Sequence, residues 1–226
     1  MINVALILKS FPFVLRGLPY TLGISAASFA TGLILGFGFA LMRQSSNWLL
    51  PKLAKAYISF FRGVPMIVVL FVLYFGLPYY GLQWPALLCA YFGFSLVSAA
   101  FIAEILRSAM AAISHGQWEA AQALGLPQRI IVSKIIVPQA LRIAVPPLGN
   151  VVIDMVKSSS LAAMITVPDI FQNAKIIGGR EWDYMSMYIL VAVIYWLISV
   201  GLEKAQYWLE AQLTYDHKKV TKRLTF

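Results

Sequence analysis

QWEAAQALGLPQRIIVSKIIVPQALR, Gln117–Arg142, is a polar segment punctuated by Gly125, Pro127 and Pro138. It interrupts a strongly apolar chain. Gly63–Ala103 before it and Tyr184–Leu202 after it hold no Asp, Glu, Lys or Arg. The segment is either a loop on a soluble core or a loop between membrane spans, and composition decides between the two. Of 226 residues, 60% are hydrophobic and 12% are charged, with a mean hydropathy of +0.77. A soluble domain carries about 25% charged residues. One core of this size cannot hide so much apolar surface, and the bilayer is its natural solvent.

The formal charge of +9 does not point to nucleic acid, because the cations punctuate apolar runs rather than forming a face. Cys89 is the sole cysteine, so no internal disulfide forms. His115 and His217 have no Cys or carboxylate at ligand spacing, so no metal site is read.

A spanning helix needs about 20 apolar residues. Gly17–Met42 supplies the first. It is too long for the apolar stretch of a signal peptide, about 7–15 residues, and the cleavable-looking Ala26-Ala27-Ser28 lies mid-run. The uncharged Gly63–Ala103 has room for two spans, divided by the Gly-, Pro- and aromatic-rich Gly76–Pro85. Span two then covers Tyr57–Leu77 and span three Trp84–Met110. A fourth runs Gln139–Ser160, followed by a short helix starting near Pro168, and Tyr184–Leu202 makes the fifth. Residues 1–16 are too short to cross and read as an interfacial helix. The expected fold is all-α: a polytopic membrane bundle of five transmembrane helices, one domain over residues 1–226.

Five spans place the termini on opposite sides. One side collects twelve Lys and Arg and the other five, with Arg62 at the entrance to span two on the richer side. The positive-inside rule makes the richer side cytoplasmic, with the N-terminus outside and the C-terminus inside. The opening segment is then cytoplasmic, as is the basic tail, 210–226, read as disordered or membrane-bound. Its cations suit anionic lipid head groups. Trp48, Trp84, Trp182 and Trp208 fall near span ends and read as interface markers.

Within the cytoplasmic segment, Ser114 and Gln117 fit a capping box. A helix of about two turns follows through Leu124, Gly125 stops it, Pro127 starts a second helix over Gln128–Val137, and Pro138 ends that one. The first helix is too short to stand alone in water. It reads as a loop packed on its own bundle or as a helix presented to the groove of a soluble partner.

The residues now carry a resemblance. Glu119-Ala120-Ala121, Gly125, Ile135, Val137 and Pro138 resemble the EAA loop of ATP-binding-cassette (ABC) importer permeases, with Val137 where Leu is usual. Phe61-Arg62-Gly63-Val64-Pro65, Ala103-Glu104-Ile105-Leu106-Arg107, Pro138-Gln139-Ala140-Leu141-Arg142, Pro146-Pro147-Leu148 and Lys157–Ala162 resemble further motifs of the polar amino-acid permease family, in family order over roughly residues 10–210. The resemblance implies a bacterial inner-membrane subunit that translocates a polar, basic or cystine-like amino acid. It implies an ABC ATPase dimer, a second permease that is identical or paralogous, and an extracytoplasmic binding protein. Residues 113–138 would be the coupling loop, with Glu119, Ala120, Ala121, Leu124, Gly125 and Pro138 contacting the ATPase. The chain would be no enzyme and bind no cofactor. It holds no Gly-rich loop ending in Lys-Ser or Lys-Thr, so ATP and Mg belong to the partner.

Charged groups inside spans are candidate sites. Glu104 and Arg107 share a helix face and read as a local ion pair or a substrate-path carboxylate. Asp154 lies one turn from Lys157, so an i,i+3 pair is open. The alternative is that Asp154 receives a substrate ammonium while Asn150, Ser158, Ser159 and Ser160 offer hydrogen bonds. Pro146-Pro147 and Gly149 are expected to break or loosen the helix there, which is tolerated where it lines a cavity. Arg62, with Gly63 and Pro65, is either a positive-inside anchor or a link from the loop to the gate. Two rival classes lack the loop's explanation or the acid's: an ATPase-independent carrier or channel, and a membrane scaffold.

Overall fold

A computed structural model describes residues 2–223, with side chains through 212. Every regular element among them is helical. The helices are α1 Val4–Leu15, α2 Leu18–Met42, α3 Leu49–Gly63, α4 Met66–Phe71, α5 Ala86–Ala111, α6 His115–Ala123, α7 Gln128–Ile130, α8 Val137–Ser158, α9 Ile170–Arg180 and α10 Tyr184–Arg223. Four helical stretches are long and apolar enough to cross a membrane, and the bent pair α3–α4 makes a fifth when counted as one.

α5 is the hub. Its sequence is rich in Ala, Ser and Gly, and it is the most buried of the long helices. Small side chains let neighbouring backbones come close, which is how helices associate when water supplies no drive. On α2, Gly32 faces Ser98 and Gly36 faces Ile102, and a Cβ at Gly36 would sit 2.8 Å from the Ile102 side chain. That register runs α2 parallel to α5. α8 runs antiparallel to both, since Met155 lines a cavity with Val97 while Pro147 lines one with Ala109. α10 is antiparallel to α8, with Gln206 donating to the Pro146 carbonyl. One apolar core at the α6 end joins Ile102, Leu106, Ile131 and Ile136. A second, around Leu70, Phe94 and Ile165, fills the other half. A third joins α1, α9 and α10 through Val14, Ile170 and Met187.

Three expectations are corrected. Span two is not one rod over Tyr57–Leu77. The helix begins at Leu49, stops at Gly63 and restarts at Met66 after a bend of 101°. Val64 is extended (ψ 130°), as a residue before proline must be, and Pro65 cannot donate to continue the ladder. Pro138 does not end the second loop helix. Residues 128–165 form one continuous helical stretch, and the chain widens to a π-helical turn at Ile131–Ile136 just before the proline. Finally, α8 stays α-helical through Pro146 and Pro147. The backbone departs from α geometry at the π turn below them and at the 3₁₀ segment Ser159–Ile165 above.

α6 also starts without the expected capping box. The Ser114 side chain makes no cap bond, and Gln117 instead accepts from Gln139 at 3.4 Å. Its end is as read. Gly125 has φ +70°, its N–H bonds the Gln122 carbonyl and that of Leu126 bonds Ala121, which is a Schellman closure. The 210–226 segment, read as disordered or membrane-bound, instead continues α10 as helix as far as Arg223, and its side chains from 213 onward lie outside the described residues.

Candidate functional site

Two regions gather the sequence-predicted residues. The first is α6. Ala121 is 3% exposed and packs into the core at the α6 end, together with Ile131 of the π turn. Glu119, Ala120, Gly125 and Pro138 are not buried in that way, and Leu124 is 77% exposed. The helix is therefore held to the α7–α8 rod through Ala121 and the half-buried Trp118, while the rest of its motif faces outward.

The second region lies along α5, α8 and the α3–α4 bend. α5 has 26 residues, so it is about 39 Å long at 1.5 Å per residue, and Val97 and Ser98 lie near its middle. There they share a cavity of about 350 Å³ with Arg62, Pro65, Asp154 and Ser158. Asp154 is thus at mid-depth, with its side chain 75% exposed and Lys157 at 3.8 Å. Ser159 is buried and donates to the Val156 carbonyl, and Ser160 donates to that of Lys157. Of the serine run only Ser158 lines this cavity. Asn150 sits on the other flank of α8, in a polar cavity of about 310 Å³ with Asp154, Glu203 and Gln206.

One turn toward the α6 end, Arg62 stacks its guanidinium over the Phe101 ring at 5.6 Å. A third cavity, about 290 Å³, joins Arg62 and Phe101 to Glu104, Ile143 and Pro147. Glu104 pairs with Arg107 at 2.6 Å, and also with Arg43 of α2 at 2.7 Å. The sequence offered the first pair through its i,i+3 spacing. The second joins residues 61 positions apart and left no local signal.

Sequence reading also missed a buried polar knot at the far end of the bundle. Asp169 is 0% exposed and caps α9 by accepting from the Gln172 N–H at 2.7 Å, while Tyr195 donates to its other oxygen at 3.4 Å. Asp169 itself lies in the link between α8 and α9, not in a spanning helix, and Tyr195 reaches it from α10. Burial pushes its carboxyl up to about 7, against the lowering effect of those hydrogen bonds. An N-cap Asp ahead of an apolar run was the available signal.

Comparison with known proteins places this geometry. Residues 28–215 match the family of binding-protein-dependent transport system inner membrane components. A probable amino-acid ABC transporter permease protein, YckA, of Bacillus subtilis is 56% identical over 196 residues, covering 87% of each chain. The L-cystine transport system permease protein TcyB of the same organism is 35% identical, over 92% of this chain and 90% of its own. A crystal structure of an amino acid ABC transporter with histidines superimposes with a TM-score of 0.90 at 31% identity, covering 94% of this chain and 99% of that one. An inward-facing MetNI methionine ABC transporter gives 0.76 at 21% identity, covering 89% of this chain and 96% of that one, and so shares the fold. Matched along most of its length by the family and by its relatives, this multi-pass helical chain belongs to the binding-protein-dependent transport system inner membrane components, the permeases of ABC transporters.

Proposed function

We propose that the chain is one permease half of an amino-acid importer in a bacterial inner membrane, driven by ATP hydrolysis in a separate ATPase dimer. The observation that carries this reading is α6. It is a two-turn helix anchored by buried Ala121 and half-buried Trp118, with Leu124 left 77% exposed, and it sits on a helical rod that reaches Asp154 without a break. An apolar side chain held outward on a short, exposed helix suits the cleft of a soluble partner. The N-terminus is outside and the C-terminus cytoplasmic, so α6 faces the ATPase. ATP and Mg bind there and not on this chain.

A second permease, identical or paralogous, covers the mid-depth cavity. Asp154 is 75% exposed in this chain, and a carboxylate at that depth faces a water-filled path or protein rather than lipid. An extracytoplasmic binding protein delivers the solute. The substrate is a polar, basic or cystine-like amino acid, whose ammonium pairs with Asp154 while Asn150 and Ser158 offer hydrogen bonds. Relatives named for cystine and for octopine support that class. Arg62, Gly63 and Pro65 form the bend through which the rod's motion reaches the path.

Copurification tests the reading. Extraction in mild detergent is expected to recover a stoichiometric ATPase with the chain. Reproducible recovery of the chain alone, from membranes where the ATPase is present, would overturn it.

A further inference from the structure

The cavity at mid-depth holds a second charge, on a residue of the bend, whose guanidinium the function above does not use. Arg62 lines it together with Asp154 and also lines the neighbouring cavity below. The nearest acid on that side is Glu104. Its two oxygens are already taken, Oε2 by Arg43 and Oε1 by Arg107. Three guanidiniums thus gather around one carboxylate, and no salt bridge reaches Arg62 among the described residues. A guanidinium at membrane depth is costly and stays charged at every physiological pH, so it must meet an anion or open water. Phe101 supports its flat face and leaves the donor edge for something else.

We infer that Arg62 receives the α-carboxylate of the transported amino acid, opposite Asp154, which takes the α-ammonium. The inference rests on the reading of Asp154 given above. A guanidinium matches a carboxylate through two parallel hydrogen bonds, whereas Asp154 can only accept, so the pair orients a zwitterion one way round. The rest of the lining is apolar, including Val97, Met66, Val151 and Met155, apart from the hydroxyls of Ser98 and Ser158, and carries no further charge. The cavity of about 350 Å³ is at the small end of ligand sites, about 300–1,000 Å³, and so suits a solute of a few heavy atoms. Arg62 also lines the cavity that continues toward the α6 end, so a carboxylate can pass from one cavity to the next on the same guanidinium.

The test uses the permease–ATPase complex in nanodiscs, without binding protein. The complex is incubated with an equimolar mixture of the twenty common L-amino acids, or with their methyl esters, and retained molecules are quantified by mass spectrometry. Wild type is expected to retain one or a few acids at least 10-fold better than the matching esters. Arg62→Gln is expected to hold acid and ester equally, and Arg62→Lys to restore part of the preference. Asp154→Asn is expected to weaken both forms alike. If Arg62→Gln still prefers the acid while Asp154→Asn loses binding, the carboxylate assignment fails and the ammonium site stands. If wild type retains no amino acid, both fail together.

Discussion

Glu104 gives one oxygen to Arg43 and the other to Arg107, whereas Asp154 has a single lysine at 3.8 Å and stands mostly exposed. The same residue class at membrane depth thus has two different settings. Glu104 ties α2 to α5. Removing its charge leaves two guanidiniums with a single neutral amide oxygen between them, a loss of about 1–3 kcal/mol in a partly buried setting. Glu104→Gln is expected to lower the thermal midpoint of the detergent-solubilised protein, and the double change Glu104→Gln with Arg43→Met to recover part of the loss. A double-mutant cycle in which the two losses simply add would remove the interhelical tie. Asp154→Asn is expected instead to leave the midpoint unchanged and cut uptake at least 10-fold at equal membrane abundance. Unchanged uptake kinetics would reduce Asp154 to the partner of Lys157.

Asp169 gives a residue-scale pH dependence. The folded carboxyl is pushed up to about 7 by burial, against about 3.9 for an unperturbed aspartate. The folded state therefore binds the proton more tightly than the unfolded chain does between these values. Stability from this group is greatest below about pH 4 and falls as pH rises toward about 7. The groups around it are the Tyr195 phenol and the Thr21 hydroxyl, which accepts from the Ile170 N–H. Asp169→Asn keeps a capping oxygen and is expected to flatten the profile of thermal midpoint against pH over this window. A profile with the wild-type slope would place the dependence elsewhere.

At the scale of elements, the uncharged runs were legible. α2 and α5 fall where hydropathy puts them, because a bilayer sets helix length and composition together, while α10 starts where expected at Tyr184 but runs on past Leu202 into the polar tail. The α3–α4 bend was hidden, since the apolar run continues across Val64-Pro65 and periodicity is blind to direction. Pro65 was the available sign. The opposite error occurred at Pro146-Pro147, where tandem prolines are absorbed within a continuous helix. The two prolines withdraw donors only from the Arg142 and Ile143 carbonyls, one turn back, and Gln206 of α10 ties this part of the helix to its neighbour by donating to the Pro146 carbonyl at 3.1 Å. No spacing rule links position 206 to 146. The mechanical consequence is large. The stretch 128–165 is 38 residues, about 57 Å of helix, so the proposed coupling from α6 to mid-membrane would run through a continuous helix rather than a loosened span. The seat of α2 on α5 is as exacting. Gly36→Leu must displace Ile102 or the Ala99 carbonyl, each under 3.0 Å from the point where a Cβ would stand. It is expected to sharply lower the folded yield from membranes, measured by size-exclusion chromatography. A wild-type yield would mean that this contact is slack.

At the scale of the whole molecule, the site was legible as residues and not as a place. Asp154 and Arg62 stand far apart in sequence and each allow two readings, an ion pair or ammonium site and an anchor or gate link, yet they line one cavity beside the α3–α4 bend. The two ends of the account, α6 and the cavity, are joined by the α7–α8 rod, and the central claim is that ATP-driven motion enters at one and acts at the other. ATP-dependent accumulation in proteoliposomes of the purified complex tests it most directly. The comparison is wild type against Gly125→Asp, which places a charge beside the exposed Leu124 and a side chain at φ +70°. With binding protein and the twenty common amino acids supplied outside, wild type is expected to accumulate at least one of them only when ATP is within. Gly125→Asp is expected to reduce that at least 10-fold at equal permease content. Accumulation by wild type without ATP, or full accumulation by Gly125→Asp, would contradict the account.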